Sequence, residues 1–448
     1  MRSLRPLRFN YMSYRYPDSF VFYRKLNRHY TKAVSAKGTT ITDENGKRYL
    51  DASGGAVVTN IGHGVPEIAE AVAEQIRNLG YINGVQFTTE PAERLAAELA
   101  EILPDTLKYS YFLSSGSEAI EASIKLARQY WYDKGVPSRW KVISRTPSYH
   151  GNTLSALSLS GREHYRTMFG PLLTQFPRIQ APDPYRHPGC KACTGELLEE
   201  EIVKQGADTV AAFIAEPIIG ASAGAVVPSR EYYQRVSEIC KKYDILFIAD
   251  EIMAGMGRTG KWFSFQHYDL VPDIIVCGKG INGGMVPLSA VVAKKRILDV
   301  LLNGTGYFNH AQTYSHTPVI CAVGLATVRY LKKHRLVERC AEMESYFFQK
   351  LKELLRFPVV GDVRGKGLMA AVEFVRDKQT KEPMLRQQKY AEKFTDRAFE
   401  RGLILWPNAG HVNGTDGDLV MIAPPFTVTR EEIDEIVLLF KQTLEQTL

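Results

Sequence analysis

The sequence predicts an α/β protein: a large domain whose mainly parallel sheet is covered by helices on both faces, plus a smaller α+β domain built from the N- and C-terminal segments. Three observations carry that expectation. From about Tyr109 to Ala293, short continuous apolar runs alternate with amphipathic ones, the pattern of strands buried on both faces. The chain has 448 residues, 45% hydrophobic and 23% charged. That is ample for two domains and excludes disorder, collagen and coiled coil as descriptions of the whole. Finally, no stretch reaches the roughly 18 apolar residues of a membrane span. A cytoplasmic protein without a membrane partner is expected.

The opening MRSLRPLRFNYMSYRY holds Arg2, Arg5, Arg8 and Arg15 and no acid before Asp18. It lacks the apolar core of a secretory signal, so it reads as a loose basic arm, an organelle transit peptide being the other reading. Outside a secretory route the sequons at Asn303 and Asn413 carry no meaning, and the six cysteines stay reduced. Cys190 and Cys193 form a single CxxC; a zinc site wants a second pair, so no metal is expected.

The stretch from Gly38 to Asp51 reads as a hairpin turning at Asn45-Gly46. Helical patterns cover Pro66 to Leu79 and Pro91 to Leu103, each with a proline near its first turn. The apolar runs then follow: KVIS from Lys141, VAAFIA from Val210, ILFIA from Ile245, DIIVCG from Asp273 and LSAVVA from Leu288. A helix runs from Pro318 to about Lys333, a mixed region starts at Arg356, and an acidic-start helix after Thr429 closes the chain. The expected division is 1–65 joining the small domain, 66–325 as the large domain and 326–448 as the rest of the small one. Lys and Arg number 56 against 49 Asp and Glu, a net charge of +7 that is far too weak to argue for nucleic acid.

Chemistry concentrates where these runs end. VAAFIA runs into Glu216, ILFIA into Asp250, and DIIVCG into Lys279. Open α/β sheets bind ligands outside the carboxyl ends of their strands. Each residue alone reads as a cap or surface pair, but three at one expected edge read as a site. Upstream, YFLSSGSEAIEAS places Ser115, Gly116 and Ser117 at a helix start. Ser115 with Glu118 fits a capping box, while small residues and free N–H groups suit a phosphate. A phosphate cradle, an acid and a lysine at neighbouring strand ends suit pyridoxal 5'-phosphate, the lysine forming a Schiff base and the acid holding the ring nitrogen protonated. Tyr149, in SYHGNT, offers a ring face for stacking.

On these residues the sequence resembles the class III aminotransferases, pyridoxal-phosphate enzymes of the aspartate aminotransferase fold. The resemblance covers Gly38 to the C-terminal helix. It is most specific from Leu246 to Val292, where DE, GRTG, PD and GK all fall at the family's spacings. It implies that Lys279 carries the cofactor and Asp250 pairs with the ring nitrogen. Ser115, Gly116 and Ser117 would bind the phosphate, Tyr149 would stack on one ring face and Met253 would cover the other, with Glu216 near the cofactor edge. Thr313, in HAQTYSHTP, matches a threonine reaching the phosphate of a neighbouring subunit, which implies at least a homodimer with shared active sites. The implied reaction is ping-pong transamination with amine and keto-acid substrates.

The sequence departs from the ornithine-type relatives at two arginines for dicarboxylate substrates. Asn152 stands at one position, and Met421 precedes Ala423-Pro424-Pro425 at the other. A guanidinium fork is hard to replace by an amide or thioether. An amine or ω-amino acid donor with pyruvate as acceptor is therefore expected. Pyruvate-linked relatives use an arginine after the GLI strand, where Trp406 stands here. His411, in the insertion from Pro407 to Asp418, is one substitute; Arg162 and Arg166, in SGREHYR, are others, although they read first as solvated helix charges. Rival readings remain. GMGRTG, Gly255 to Gly260, has the form of a dinucleotide motif, but no amphipathic helix follows it to receive a pyrophosphate. A racemase, decarboxylase or aminomutase would use the same lysine and acid.

Overall fold

The computed structural model describes residues 14–447; the basic arm expected at Arg2, Arg5 and Arg8 lies outside them. The hairpin forms as expected, from β1 (Ala33–Lys37), β2 (Thr40–Asp43) and β3 (Arg48–Asp51), all antiparallel. Two helices follow at Pro66–Asn78 and Glu90–Glu101, both with proline in the first turn.

The large sheet comprises β4 (Leu107–Leu113), β5 (Lys141–Thr146), β6 (Arg178–Gln180), β7 (Val210–Ala215), β8 (Leu246–Asp250), β9 (Ile274–Cys277) and β10 (Ser289–Lys294). Its spatial order is β4-β10-β9-β8-β7-β5-β6. Strands β9, β8, β7, β5 and β6 are parallel to one another, and β10 runs antiparallel to both of its neighbours. Successive strand residues point to opposite faces. On β8, Phe247 and Ala249 join Leu198, Tyr232 and Val236 on one side. Leu246 and Ile248 join Ile120, Leu126 and Ile297 on the other. Each layer closes over a face of the sheet, which is why these strands are apolar throughout.

The smaller region uses both chain ends. β11 (Val360–Lys366), β12 (Met369–Asp377), β13 (Glu382–Pro383), β15 (Trp406–Ala409) and β16 (Asp418–Ile422) form one sheet, while β14 (Leu403–Ile404) pairs parallel with β3, Leu403 opposite Leu50. Sequence patterning left residues 334–355 unassigned; the helix Leu336–Lys352 fills them, separated from Pro318–Lys333 by Arg335 in the left-handed region at φ 49°. The end of the first helix near Lys333 is legible in the pattern; the second helix opens on Arg335, which is no capping residue, and so carries no start signal of its own. The last helix, Arg430–Glu445, opens on a capping box between Thr429 and Glu432. Among the described residues no helix is long and apolar enough to cross a membrane.

Candidate active site

The parallel strands bring the expected groups to one edge. Glu216 follows β7, Asp250 ends β8, and Lys279 stands just past β9, on three adjacent strands. Asp250 is buried, and its Oδ2 lies 2.7 Å from His150 Nδ1 while Oδ1 accepts the Ile252 N–H at 3.1 Å. His150, next to Tyr149 in the turn after β5, has no signature of its own in sequence; only the sheet, which sets β5 and β8 on either side of β7, brings it to Asp250. Glu216 is also buried: Oε1 accepts from Gly220 N at 3.0 Å and Oε2 from Tyr149 N at 3.3 Å. Burial raises its pKa.

Lys279 occupies a left-handed backbone at φ 45°, a conformation that costs a non-glycine residue about 1–3 kcal/mol and that surrounding packing must impose. Asn60 from the N-terminal segment helps impose it, its Nδ2 donating to the carbonyls of Gly280 at 3.0 Å and Met256 at 3.2 Å. Desolvation pushes the amine down to about 8 against the pull of Asp250 and Glu216. An amine so placed is partly neutral near physiological pH, as a nucleophile or proton carrier must be.

Beside it, Ser115 caps the helix Gly116–Asp133, its Oγ accepting from Glu118 N at 3.3 Å. The reciprocal half of the capping box is absent from Glu118's bonding, since that carboxylate receives Gln312 Nε2 at 3.3 Å. The Gly116 and Ser117 N–H groups have no acceptor within the helix. Ser117 Oγ donates to Asn152 Oδ1 at 2.9 Å and accepts from Asn152 N at 3.0 Å, tying the helix start to the Tyr149 turn. Gly151 permits that approach: at φ 143°, an added Cβ would stand 2.5 Å from Ser117 Oγ. Ser114, Ser115, Gly116 and Lys279 line a cleft of about 350 Å³, within the small-molecule range. A phosphate at the helix start and a ring-bearing aldehyde at Lys279 fit this donor set.

Not every side chain stands where the sequence placed it. A Cβ on Gly116 would meet Ile252 Cδ1 at 2.9 Å and one on Gly278 would meet Ile252 Cγ2 at 3.4 Å, so Ile252 packs against the helix start and the end of β9 beside this cleft. Met253 turns instead toward Gly220, where a Cβ would stand 2.6 Å from its sulfur. Both follow the DE pair, and only the strand-end geometry separates them. His411 is no free carboxylate binder: it is buried with Nε2 3.1 Å from Glu373, in a network holding Arg186 and Arg364. Met421 is fully buried on β16. Arg166 is not a solvated charge: it donates to the carbonyls of Leu157, Ser158 and Ser160. Nor is Arg162, which packs over the rings of Tyr165 at 4.6 Å and Tyr149 at 5.8 Å. Thr313 is exposed, its carbonyl accepting from Tyr81 at 3.2 Å. Gly255 to Gly260 form successive turns, not a helix start.

The aminotransferase class-III family model matches residues 23–444. The chain belongs to the class III aminotransferase family. This aminotransferase is 40% identical over 433 residues to the uncharacterised aminotransferase YodT of Bacillus subtilis, covering 95% of this chain and 98% of that one. It is 35% identical to the putrescine–pyruvate aminotransferase of Pseudomonas aeruginosa, over 96% and 93% of the two chains. Among solved structures, an amine transaminase from an uncultivated Pseudomonas species, in its PLP-bound form, superposes with a TM-score of 0.87 at 33% identity, covering 94% of this chain and 95% of that one. The family depends on pyridoxal phosphate, and the matched relatives are transaminases of its fold, which sets the oxidoreductase reading aside.

Proposed function

We propose that this aminotransferase moves the amino group of an amine or ω-amino acid to a keto acid, pyruvate foremost, by ping-pong exchange in which the carbonyl product leaves before the acceptor binds. The observation that carries the choice of substrates is the fate of the two dicarboxylate positions. Asn152 spends its side chain on Ser117, and Met421 is sealed in the core. A second substrate carboxylate has no guanidinium to meet at either place. The name of the Pseudomonas aeruginosa relative, putrescine–pyruvate aminotransferase, supports the same pairing.

Bound pyridoxal phosphate supplies an electron sink for the donor's α-carbon. The remaining work falls to this chain. Gly116 and Ser117 N–H groups with Ser115 hold the phosphate at the helix start. Asp250, fixed by His150, keeps a negative charge where a protonated ring nitrogen would sit. Ile252 and Tyr149 bracket the ring. Lys279 Nζ carries the proton to and from the substrate carbon, its amine kept partly neutral by burial. Glu216, held by Tyr149 N and Gly220 N, closes the far edge. The assembly we infer is a homodimer: Val85, Phe87, Met168 and Leu172 are exposed apolar side chains, and exposed Thr313 is available to a neighbouring subunit. The test is a screen of the holoenzyme with propylamine, putrescine and β-alanine against pyruvate and 2-oxoglutarate. Faster turnover with pyruvate supports the assignment; a preference for 2-oxoglutarate, or carbon dioxide release without amino transfer, sinks it.

A further inference from the structure

Among the described residues, the arginines around the site differ in what their donors are spent on. Arg145 is fully buried and donates to the Glu216 carbonyl; Arg258 donates to the carbonyls of Leu368 and Pro424. Arg166 is committed to three carbonyls. Arg162 differs. Its guanidinium lies over the Tyr149 and Tyr165 rings, donates to Asn408 Oδ1 on β15, and has no carboxylate within ion-pair distance among the described residues. Asn408 is itself buried and anchored by donation to Ser222 O at 3.4 Å. Arg24 adds a second cation over Tyr165, donating to its hydroxyl at 2.8 Å. The result is a pre-oriented fork: planar, set against two rings, pinned at one nitrogen, with further N–H donors to offer.

We propose that Arg162 binds the substrate carboxylate, that of the keto-acid acceptor and of an ω-amino acid donor. This rests on the transaminase reading above and names its recognition group. The position is informative. β15 is the strand that follows the GLI segment, where Trp406 stands in place of an arginine; here a guanidinium from the SGREHYR segment reaches Asn408 on that strand. Tyr149, which donates its N–H to Glu216, connects this fork to the strand-end cluster. Burial without an acidic partner lowers the Arg162 pKa, the state of a cation awaiting an anion. One such fork suits a monocarboxylate, which agrees with a preference for pyruvate over a dicarboxylate.

The test uses holoenzyme with butylamine as donor and two acceptors, pyruvate and propanal, the second lacking the carboxylate. In Arg162→Ala, the KM for pyruvate should rise about 10- to 100-fold, while kcat/KM for propanal stays within about twofold. Arg162→Lys should recover part of the pyruvate affinity, having charge without the fork. Equal losses on both acceptors would mean a purely structural role, and an unchanged pyruvate KM would assign the carboxylate to another group; either overturns the proposal. Calorimetric binding of propionate, compared with propionamide, reads the same fork without turnover: wild type should prefer the anion and Arg162→Ala should lose most of that preference, whereas retention of it counts against Arg162. Wild-type protein inactive on every acceptor would refute the transaminase assignment, while the propionate comparison would still decide the role of Arg162.

Discussion

Among the described residues, two buried clusters of charge are held in opposite ways. In the C-terminal sheet, Glu373 receives Arg364 Nη1 at 2.6 Å and Arg186 Nε at 2.7 Å, with His411 at 3.1 Å and Asp362 sharing Arg364 at 2.9 Å. Despite its desolvation, these cations hold the Glu373 carboxyl well below the usual range. At the strand ends, the pressure runs the other way. Desolvation raises Glu216 and depresses Lys279 to about 8, so each is pushed toward its neutral form. The first cluster spends every charge on a partner and locks a sheet. The second leaves a lysine under-compensated, and that residual tension is what makes an amine reactive.

The sharpest way to break this contrast is at the lysine. Lys279→Ala should lower turnover by about 10⁴-fold or more while leaving the circular dichroism spectrum intact; substantial activity in that variant would remove the assignment. The structural cluster should respond in stability instead. Arg364→Ala strands Glu373 among fewer cations and should cost about 3–5 kcal/mol, read as a lower midpoint of denaturation. A midpoint unmoved by the substitution would mean that the network holds nothing together.

Lys279 also has a pH signature. In cofactor-free protein, trapping of its amine by a small aldehyde and borohydride should rise with pH, because only the neutral amine attacks. The rise should be half complete near 8, whereas an unperturbed lysine waits until about 10.5. Peptide mass mapping checks it, and a midpoint at 10 or above would show that burial does not tune this residue. The smallest effect distinguishes neighbours. Ile252→Ala should weaken cofactor retention about tenfold by removing the contact beside the cleft, and Met253→Ala should change it little. Equal effects would contradict the placement of Ile252 beside the cleft.

Much of the arrangement was legible beforehand, and the reasons are local. A strand buried on both faces must be apolar throughout, so an abrupt Glu216, Asp250 or Lys279 at its end is visible in one dimension. Ser115 to Ser117 were visible because helix starts demand small capping residues. What escaped was lateral. His150 lies a hundred positions from Asp250 in sequence, at 2.7 Å in space. Ile252 and Met253 are adjacent, and which one packs beside the cleft depends on how the chain leaves β8. Arg162 and Arg166 look alike in SGREHYR, yet one meets carbonyls and the other two rings and an amide. The helix Leu336–Lys352 opens on Arg335, with no capping residue to announce it.

The sequence alone determined the layered sheet, the edge where chemistry gathers, and the lysine and acid that face it, because burial and periodicity constrain residues one strand at a time. Only the tertiary structure decided who supports Asp250, which side chain packs beside the cleft, and which arginine keeps donors to spare. Those depend on distances between segments that no spacing along the chain encodes.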